Sequence, residues 1–324
     1  MTRVAITGST GVVGRSLLNL LTYRGFDVRA LIRSGSDAGF VAGLGATPVP
    51  GDLLDPESLA LLVANCEFVF NVAGVNKMCV RDPAGMERVN IAGVRNVMDA
   101  CRRGGVRRLV HTSSAATLGE ERGSVGNEDS PHRGWFLSEY ERTKTLGEEV
   151  LFEESGDLDV VAVNPSSVQG PGRATGTGKI ILDVVNGDMS VLVDSTISLV
   201  DIDDCAQGHL LAATNGAEGS RYVLNGAVLS VREAVGLAAT AAGRPISPRY
   251  LPVSAVSALA AVVEPIGRIL RRDLPFCKES IRVMTFGHRY DGSRANAELG
   301  LDYRPIEDTI KRTIEWFEVE GHLT

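Results

Sequence analysis

Short apolar runs of strand-like composition alternate with helical patterns along the first half of the chain. The runs VAIT (4–7), DVRALI (27–32), FVFNVA (68–73), RLVHTS (108–113) and VVAVN (160–164) are typical of buried strands. The segments between them repeat apolar residues every three or four positions, and several end in Gly. Such alternation predicts an α/β protein with a doubly wound parallel sheet, because βαβ units place helices on both faces.

The rhythm changes after residue 164, where Pro- and Gly-rich sequence begins. We predict a first domain over residues 1–165 and a smaller C-terminal lobe over 166–194 and 227–324. The segments SLVDI (198–202) and RYVLNG (221–226) are expected to return the chain to the first sheet around 195–226. A chain of 324 residues is long enough for two such units.

Charge and composition exclude several classes of protein. The formal net charge is −7 and both signs are dispersed, so no basic face for nucleic acid is expected. No apolar leader is visible, and the longest apolar stretch falls short of the roughly 20 residues that span a bilayer. Five cysteines without paired or metal-like spacing suggest a reducing, cytoplasmic setting, with Cys66, Cys101 and Cys205 as small buried residues.

The first strand runs into TGSTGVVG, which opens the first helix. Gly8 permits a tight turn, Gly11 lets the backbone approach a pyrophosphate, and Gly14 allows close packing of the helix on the sheet. The helix N-terminus adds unpaired N–H groups and a positive dipole end. The motif, which also contains Thr10 and Val13, therefore predicts a dinucleotide site.

The end of the second strand bears on the choice of dinucleotide. Arg33 stands where NAD-binding proteins place a carboxylate, so NADP is predicted in preference to NAD, although an exposed Arg at a strand end would look the same. After the next strand, Asp52 could accept from the adenine amino group while Leu53 packs on the ring. Taken alone, Asp52 would be only a turn residue.

YERTK (140–144) places a phenol and an ammonium on one helical face. Tyr140 could protonate an alkoxide formed by hydride transfer, and the charge of Lys144 would bring its pKa down from about 10. Ser114, after RLVH, could polarise a carbonyl, and Ser113 is the weaker candidate. The alternative interpretation is an ordinary helix surface.

These motifs, together with GDL (51–53), NVAG (71–74) and TSSAATLG (112–119), resemble the extended short-chain dehydrogenase/reductase superfamily in order and spacing. The likeness covers nearly the whole chain and is greatest to dihydroflavonol-reductase-like proteins and hopanoid-associated sugar epimerases. It implies a Rossmann-type NADP-binding domain, a small-molecule substrate, and a hydrogen bond from Lys144 to the nicotinamide ribose. Catalytic residues are then Ser114, Tyr140 and Lys144, and cofactor contacts are Gly8, Thr10, Gly11, Val13, Gly14, Arg33, Asp52, Leu53, Val72, Ala73, Gly74, Tyr140, Lys144, Pro165 and Val168.

Two positions depart from the family pattern. Asn71 replaces a His, and Leu118 replaces an aromatic residue that lines the site in several sugar-nucleotide epimerases. Asn90 matches a family Asn that bridges backbone segments. The His residues suggest no metal site. The resemblance also implies a homodimer through the helices that hold residues 90–101 and 137–155.

Three functions remain open: reduction of a carbonyl, epimerisation or dehydration of a nucleotide sugar, and non-catalytic dinucleotide binding. The stretch 251–270 places apolar residues on one helical face, which would either pack the lobe or line a pocket for a lipophilic ketone. A nucleotide sugar would need cations for a second diphosphate. The lobe's candidates are mostly explicable as surface residues: Arg173, Lys179, Arg244, Arg249, Arg268, Arg271 and Arg272.

Overall fold

The computed structural model describes residues 1–80, 82–256 and 277–324. Its main strands are β1 (Arg3–Thr7), β2 (Asp27–Ile32), β3 (Thr47–Pro50), β4 (Phe68–Asn71), β5 (Arg108–Thr112), β6 (Asp159–Pro165) and β10 (Arg221–Leu224). They form one seven-stranded sheet in the order β10-β6-β5-β4-β1-β2-β3, with every pairing parallel. The predicted doubly wound parallel sheet is confirmed.

The remaining strands are β7 (Ser167–Gln169), β8 (Val191–Asp194), β9 (Thr196–Asp201), β11 (Ala227–Ser230) and β12 (Arg249–Pro252). The helices whose bounds the structure gives are α1 (Val12–Tyr23), α2 (Ala38–Gly43), α3 (Pro56–Val63), α4 (Ala84–Glu87), α5 (Gly93–Gly104), α6 (Glu139–Glu153), α7 (Thr177–Val185), α8 (Ile202–Asn215), α9 (Val231–Ala242), α10 (Lys278–Phe286) and α11 (Ile306–Val319). A π-helical turn, Arg88–Ala92, joins α4 to α5, and a 3₁₀ turn, Ala115–Leu118, follows β5.

Helices cover both faces of the main sheet. On one face Ile6 of β1 shares a core with Leu17 of α1 and Leu210 of α8. On the other, Ala5 shares a core with Val97 of α5 and with helices α3 and α6. Because successive strand residues point to opposite faces, an apolar strand supplies both cores at once.

The C-terminal lobe has small sheets of its own. Strand β9 pairs with β7 and β11, and β8 pairs with β12. The expectation that SLVDI rejoins the main sheet is wrong. It is helix α8, directly after β9, that returns to pack on α1 and the main sheet. RYVLNG does return, because β10 pairs with β6.

Cys79 and Cys277 form a disulfide between the loop after β4 and the residue that precedes α10. The expectation of no paired cysteines was therefore wrong, because a separation of 198 residues leaves no sequence signal for a contact made by tertiary structure. Cys66, Cys101 and Cys205 are buried and unpaired, as predicted.

Part of the apolar stretch 251–270 can be placed. Residues 251 and 252 lie in β12, and residues 257–270 lie outside the described part of the chain. The interpretation of this stretch as a pocket wall therefore stays a prediction. No helix in the described ranges has the length and apolar character needed to cross a membrane.

Candidate active site

The glycines between β1 and α1 form a tight turn that leaves no room for a Cβ at Gly8 or Gly14. Gly8 has a φ of +71°, and a Cβ there would lie 2.6 Å from the backbone N of Ala73. A Cβ at Gly14 would lie 2.0 Å from the carbonyl O of Gly8. Gly14 therefore lets the helix pack closely against the turn that leaves β1.

The same turn has unsatisfied donors, as an anion site requires. Gly11 is the N-cap of α1 and provides no side-chain hydrogen bond to the first helical turn. The Oγ of Ser9 is buried and has no hydrogen-bond partner. Backbone N–H groups at a helix N-terminus bind phosphate, so these residues fit the pyrophosphate of a dinucleotide.

Residues after β4 form the neighbouring wall of this site. Ala73 donates its backbone N–H to the Oγ1 of Thr7 at 3.1 Å, which ties this segment to the glycine-rich turn. Val72 is partly buried and Gly74 is exposed. A Cβ at Gly74 would lie 3.9 Å from the Nζ of Lys144. The structure thus places Ala73 beside the glycine-rich turn and Gly74 close to Lys144.

Residues proposed for the adenosine half lie at the ends of β2 and β3. Arg33 follows β2 and is exposed. Asp52 accepts a hydrogen bond from the backbone of Leu54 at 2.9 Å, which is the turn role. Leu53 is 6% exposed and belongs to the core that α5 helps to form.

Arg15 is a cation that the sequence analysis overlooked. Its Nε donates to the carbonyl of Thr10 at 3.1 Å, and its guanidinium lies 4.1 Å from the ring centroid of Phe40. It is also 3.9 Å from the Asp37 carboxylate. Arg15 therefore lies between the glycine-rich turn and the segment after β2. Its position directly after Gly14 is the sequence feature that could have indicated a role at this site.

Tyr140 and Ser114 come together from different elements. Ser138 caps α6 by accepting from the backbone of Glu141, which starts the helix one residue before Tyr140. Ser114 caps the 3₁₀ turn after β5. Burial raises the pKa of Tyr140, while a hydrogen bond with Ser114 and the charge of Arg173 oppose that rise.

Lys144 lies one turn further along α6 and is 5% exposed. Its Nζ donates to the carbonyl of Thr112 at 2.7 Å. Burial lowers the pKa of Lys144 to about 8. Burial dominates the pKa of Tyr140, and Ser114 and Arg173 are the groups that oppose it, so the tuning of Tyr140 by Lys144 stays a prediction.

A buried polar chain leads from the glycine-rich turn toward Lys144. Thr7 donates to the Oδ1 of Asn71 at 2.7 Å, and the Nδ2 of Asn71 lies 3.1 Å from the Nδ1 of His111. This polarity assigns the His111 proton to Nε2, so Nε2 and the Nζ of Lys144, 3.5 Å apart, are both donors and the hydrogen-bonded chain ends at His111. Burial and the charge of Lys144 hold the pKa of His111 well below its usual range, so the ring is neutral. Asn71 therefore pairs with His111, a contact that no pattern in the sequence predicted.

Asn90 acts as the bridge that the resemblance implied. Its amide accepts from the backbone N–H of Val75 at 2.8 Å and donates to the carbonyl of Val75 and the hydroxyl of Thr143. It lies in the π-helical turn, where the irregular backbone faces α6. Asn90 therefore joins α6 to the loop after β4.

The other predicted residues have mixed environments. Pro165, at the end of β6, and Val168, in β7, are both buried. The Oγ of Ser113 is buried without a hydrogen-bond partner. Leu118 is fully buried in a small core with Val223 and Tyr290, so no aromatic group from that position lines the site.

Arg173 differs from the other cations suggested for the lobe. Lys179 is exposed and pairs with Asp183, and Arg244 is half-buried and donates to the C-terminal residue's carbonyl. Arg173 is half-buried, and its Nε is buried without a hydrogen-bond partner among the described residues. Within the described ranges, no three His, Cys, Asp or Glu side chains are grouped as metal ligands.

Known proteins resemble this chain both in sequence and in structure. The model of the "NAD dependent epimerase/dehydratase family" matches residues 4–225. The chain is 32% identical to sterol demethylase protein B of Methylococcus capsulatus, over 98% of this chain and 99% of that protein. It is 31% identical to a Synechocystis sp. protein provisionally named dihydroflavonol 4-reductase, over 98% and 95% of the two chains. A crystal structure of a nucleoside-diphosphate-sugar epimerase from Pseudomonas aeruginosa superposes with a TM-score of 0.82 at 25% identity, covering 100% of this chain and 99% of that one.

Proposed function

Since the chain belongs to the NAD dependent epimerase/dehydratase family, we propose that it is an NADP-dependent reductase that reversibly converts a lipophilic ketone to a secondary alcohol. Its family makes it an NAD(P)-dependent reductase or epimerase of the extended short-chain dehydrogenase type, acting on a small molecule. The observation that carries the narrower proposal is the meeting of Ser114 and Tyr140, with Lys144 one helical turn away.

Each of these residues has a role in carbonyl reduction. A bound NADPH supplies the hydride. The Ser114 hydroxyl donates a hydrogen bond to the substrate carbonyl and fixes its orientation. Tyr140 gives its phenolic proton to the oxygen as it becomes an alcohol. Lys144 would hold the cofactor ribose, as the resemblance implies, and stabilise the phenolate that remains.

The pKa of Tyr140 favours the reductive direction. Because burial raises this pKa, the phenol holds its proton at neutral pH and can donate it. Oxidation of the alcohol needs the phenolate, whose fraction grows as pH rises. We therefore expect reduction to dominate near pH 7 and oxidation to gain as pH rises.

NADP is proposed as the cofactor because two Arg residues flank the end of β2. Arg33 follows that strand, and Arg15 approaches the same segment through Phe40 and Asp37. A 2′-phosphate would pair with such cations, whereas the 2′-hydroxyl of NAD prefers a carboxylate. NAD is the alternative.

Two features support a reductase over a nucleotide-sugar epimerase. A relative similar over its whole length is named as a reductase, and another is named for a sterol, which is a lipophilic molecule. The Leu118 position is filled by core packing instead of an aromatic that would face a sugar. Epimerase or dehydratase activity, with the nicotinamide kept bound, is the alternative that the family and the Pseudomonas structure favour. A non-catalytic dinucleotide-binding protein would not need the Ser–Tyr–Lys set.

The deciding experiment is to follow NADPH absorbance with purified protein and a panel of hydrophobic ketones. Stoichiometric consumption of NADPH by a ketone supports the reductase. Saturable thermal stabilisation by UDP- or GDP-sugars at micromolar concentration, with none from the ketones and no net NADPH loss, would instead establish the epimerase. Tyr140→Phe serves as the inactive control in both assays.

We propose that the protein is located in the cytoplasm and forms a homodimer. The cytoplasm holds the NADPH pool that a reductase consumes, and the disulfide would there be subject to reduction. The dimer would form through α5 and α6, as the resemblance implies. Thiol titration of freshly isolated protein and sedimentation analysis test the two parts separately.

A further inference from the structure

Arg173 lies in a turn whose glycines leave room for its side chain. It follows β7 and precedes α7, and its backbone N–H bonds the carbonyl of Gly170 at 3.4 Å. A Cβ at Gly176 would lie 3.1 Å from the Nη2 of Arg173, and one at Gly178 would lie 3.1 Å from its Cγ. The guanidinium therefore folds back over the start of α7 in space that larger residues would take.

This guanidinium has no anionic partner within the described residues. Its Nε is buried and makes no hydrogen bond, and no carboxylate lies within ion-pair distance. Burial lowers the pKa of Arg173, and the phenol of Tyr140 and the thiol of Cys205 are the groups that oppose this. A buried guanidinium N–H without an acceptor is costly, and a bound ligand that accepts from it would remove this cost.

The turn is joined to the catalytic residues through β6. Asn164, at the end of that strand, donates to the carbonyl of Ser114 at 3.2 Å. The chain then passes through β7 directly into the turn that carries Arg173. The charge of Arg173 acts on the phenol of Tyr140, and Ser114 hydrogen-bonds the same phenol, so the guanidinium faces the hydroxyl pair that would hold a carbonyl.

We propose that Arg173 binds a carboxylate on the ketone substrate, so that the enzyme reduces lipophilic oxo acids. This rests on the proposed reductase function. A guanidinium fork matches a carboxylate in two parallel hydrogen bonds. The single charge suits one carboxylate better than a diphosphate, and the cofactor pyrophosphate has its own donors at the glycine-rich turn.

The test compares a hydrophobic 3-oxo acid with its methyl ester. For Arg173→Gln we expect KM for the acid to rise about 10- to 100-fold, the scale of a lost charge-assisted hydrogen bond, while KM for the ester stays within about 3-fold. Because the guanidinium also acts on Tyr140, kcat should fall for both substrates, so the acid-to-ester ratio of KM is the readout. Arg173→Lys should recover part of this ratio, because it keeps the charge and loses the fork.

Lys179→Gln is the matched control, because it removes one positive charge from an exposed position on the adjacent helix α7. It should leave the acid-to-ester ratio unchanged. Equal effects of Arg173→Gln on acid and ester, with a weakened NADPH Kd, would overturn the proposal in favour of a cofactor phosphate. Micromolar nucleotide-sugar binding that Arg173→Gln abolishes would overturn it in favour of a diphosphate.

Binding of the corresponding 3-hydroxy acid to the NADP complex separates this proposal from the reductase function. If no ketone is reduced but the hydroxy acid still stabilises wild-type protein and not Arg173→Gln, the carboxylate site stands and the proposed activity fails. If ketones are reduced and the hydroxy acid binds both proteins equally, the activity stands and the carboxylate site fails.

Discussion

At the scale of single residues, the site holds ionisable groups that burial disfavours. Lys144 and Tyr140 have pKa values shifted toward their neutral forms, and burial is the largest cause in each case. Arg173 has a lowered pKa for the same reason. Groups shifted in this way cost stability and are poised for proton transfer or ligand binding.

Tyr140→Phe tests the proton donor. We expect kcat to fall roughly 10²- to 10⁴-fold, the usual contribution of a positioned acid, while the NADPH Kd changes only a few-fold. Steady-state kinetics and fluorescence titration measure the two quantities. Tyr23→Phe, at a position 88% exposed on α1, is the matched control. Near-native turnover of Tyr140→Phe would remove Tyr140 from the mechanism.

Arg33→Ala tests the choice of cofactor. If Arg33 pairs with the 2′-phosphate, NADPH binding should weaken by about 2–3 kcal/mol and NADH binding should barely change. Titration of both cofactors measures this, with Arg103→Ala as a control at an exposed Arg of α5. Equal losses for the two cofactors would contradict the assignment.

Lys144→Met tests whether the lowered pKa of Lys144 makes the free energy of unfolding depend on pH. The folded protein releases the Lys144 proton at about pH 8, and the unfolded chain does so near the ordinary lysine pKa of 10.5. The penalty for burying the charge is therefore fully present below pH 8 and is relieved as pH rises to 10.5. The free energy of unfolding of wild type minus that of Lys144→Met should rise by about 3 kcal/mol over this window. A difference that is flat with pH would show an unshifted lysine.

At the scale of elements, the segment after β4 is held in place by contacts at two positions, Val75 and Cys79. Asn90 in the π-helical turn holds Val75 next to α6. Four residues further on, the Cys79–Cys277 disulfide joins the segment to the residue preceding α10, and the Cys79 N–H donates to Glu279 at 3.0 Å. The loop over the catalytic residues is thereby linked to the C-terminal lobe.

Cys79→Ser tests that link. Removing a bond that closes a long loop should lower the free energy of unfolding by roughly 2–5 kcal/mol in oxidising buffer. Wild type treated with a phosphine reductant should become equal to the variant in a denaturant melt. Reductant should not affect the variant. A wild type that is indifferent to reductant would mean that the thiols are not bonded in solution.

At the scale of the whole molecule, buried charges join the first domain to the C-terminal part. Arg133 pairs with Glu141 at the start of α6 and lies 4.0 Å from Glu120. The second oxygen of Glu120 lies 2.6 Å from the Nδ1 of His288. The side chains of Arg133, Glu120 and Glu141 are at most 2% exposed. The cluster therefore couples the orientation of α6 to residues after α10.

Arg133→Ala should be strongly destabilising. It leaves two buried carboxylates without their cation, and loss of one partner from a buried pair typically costs about 3–5 kcal/mol. Arg107→Ala, which breaks an exposed pair with Glu67, should cost less than about 1 kcal/mol. Denaturant unfolding measures both. Equal, small effects would show that the buried cluster does not hold the parts together.

The sequence by itself determined the parallel sheet and the glycine-rich turn between β1 and α1, because strand alternation, helical periodicity and TGSTGVVG are local patterns whose physics acts over a few residues. The cofactor-site and catalytic residues it named stay predictions, although the structure brings Ser114 and Tyr140 together. Only the tertiary structure decided which distant groups meet. Three features depend on contacts between segments far apart in the chain: the Cys79–Cys277 bond, the Asn71–His111 pair and the strand β9 outside the main sheet. The same holds for the buried Nε of Arg173, which has no hydrogen-bond partner among the described residues. Burial and pairing are properties of those contacts, so no local pattern encodes them.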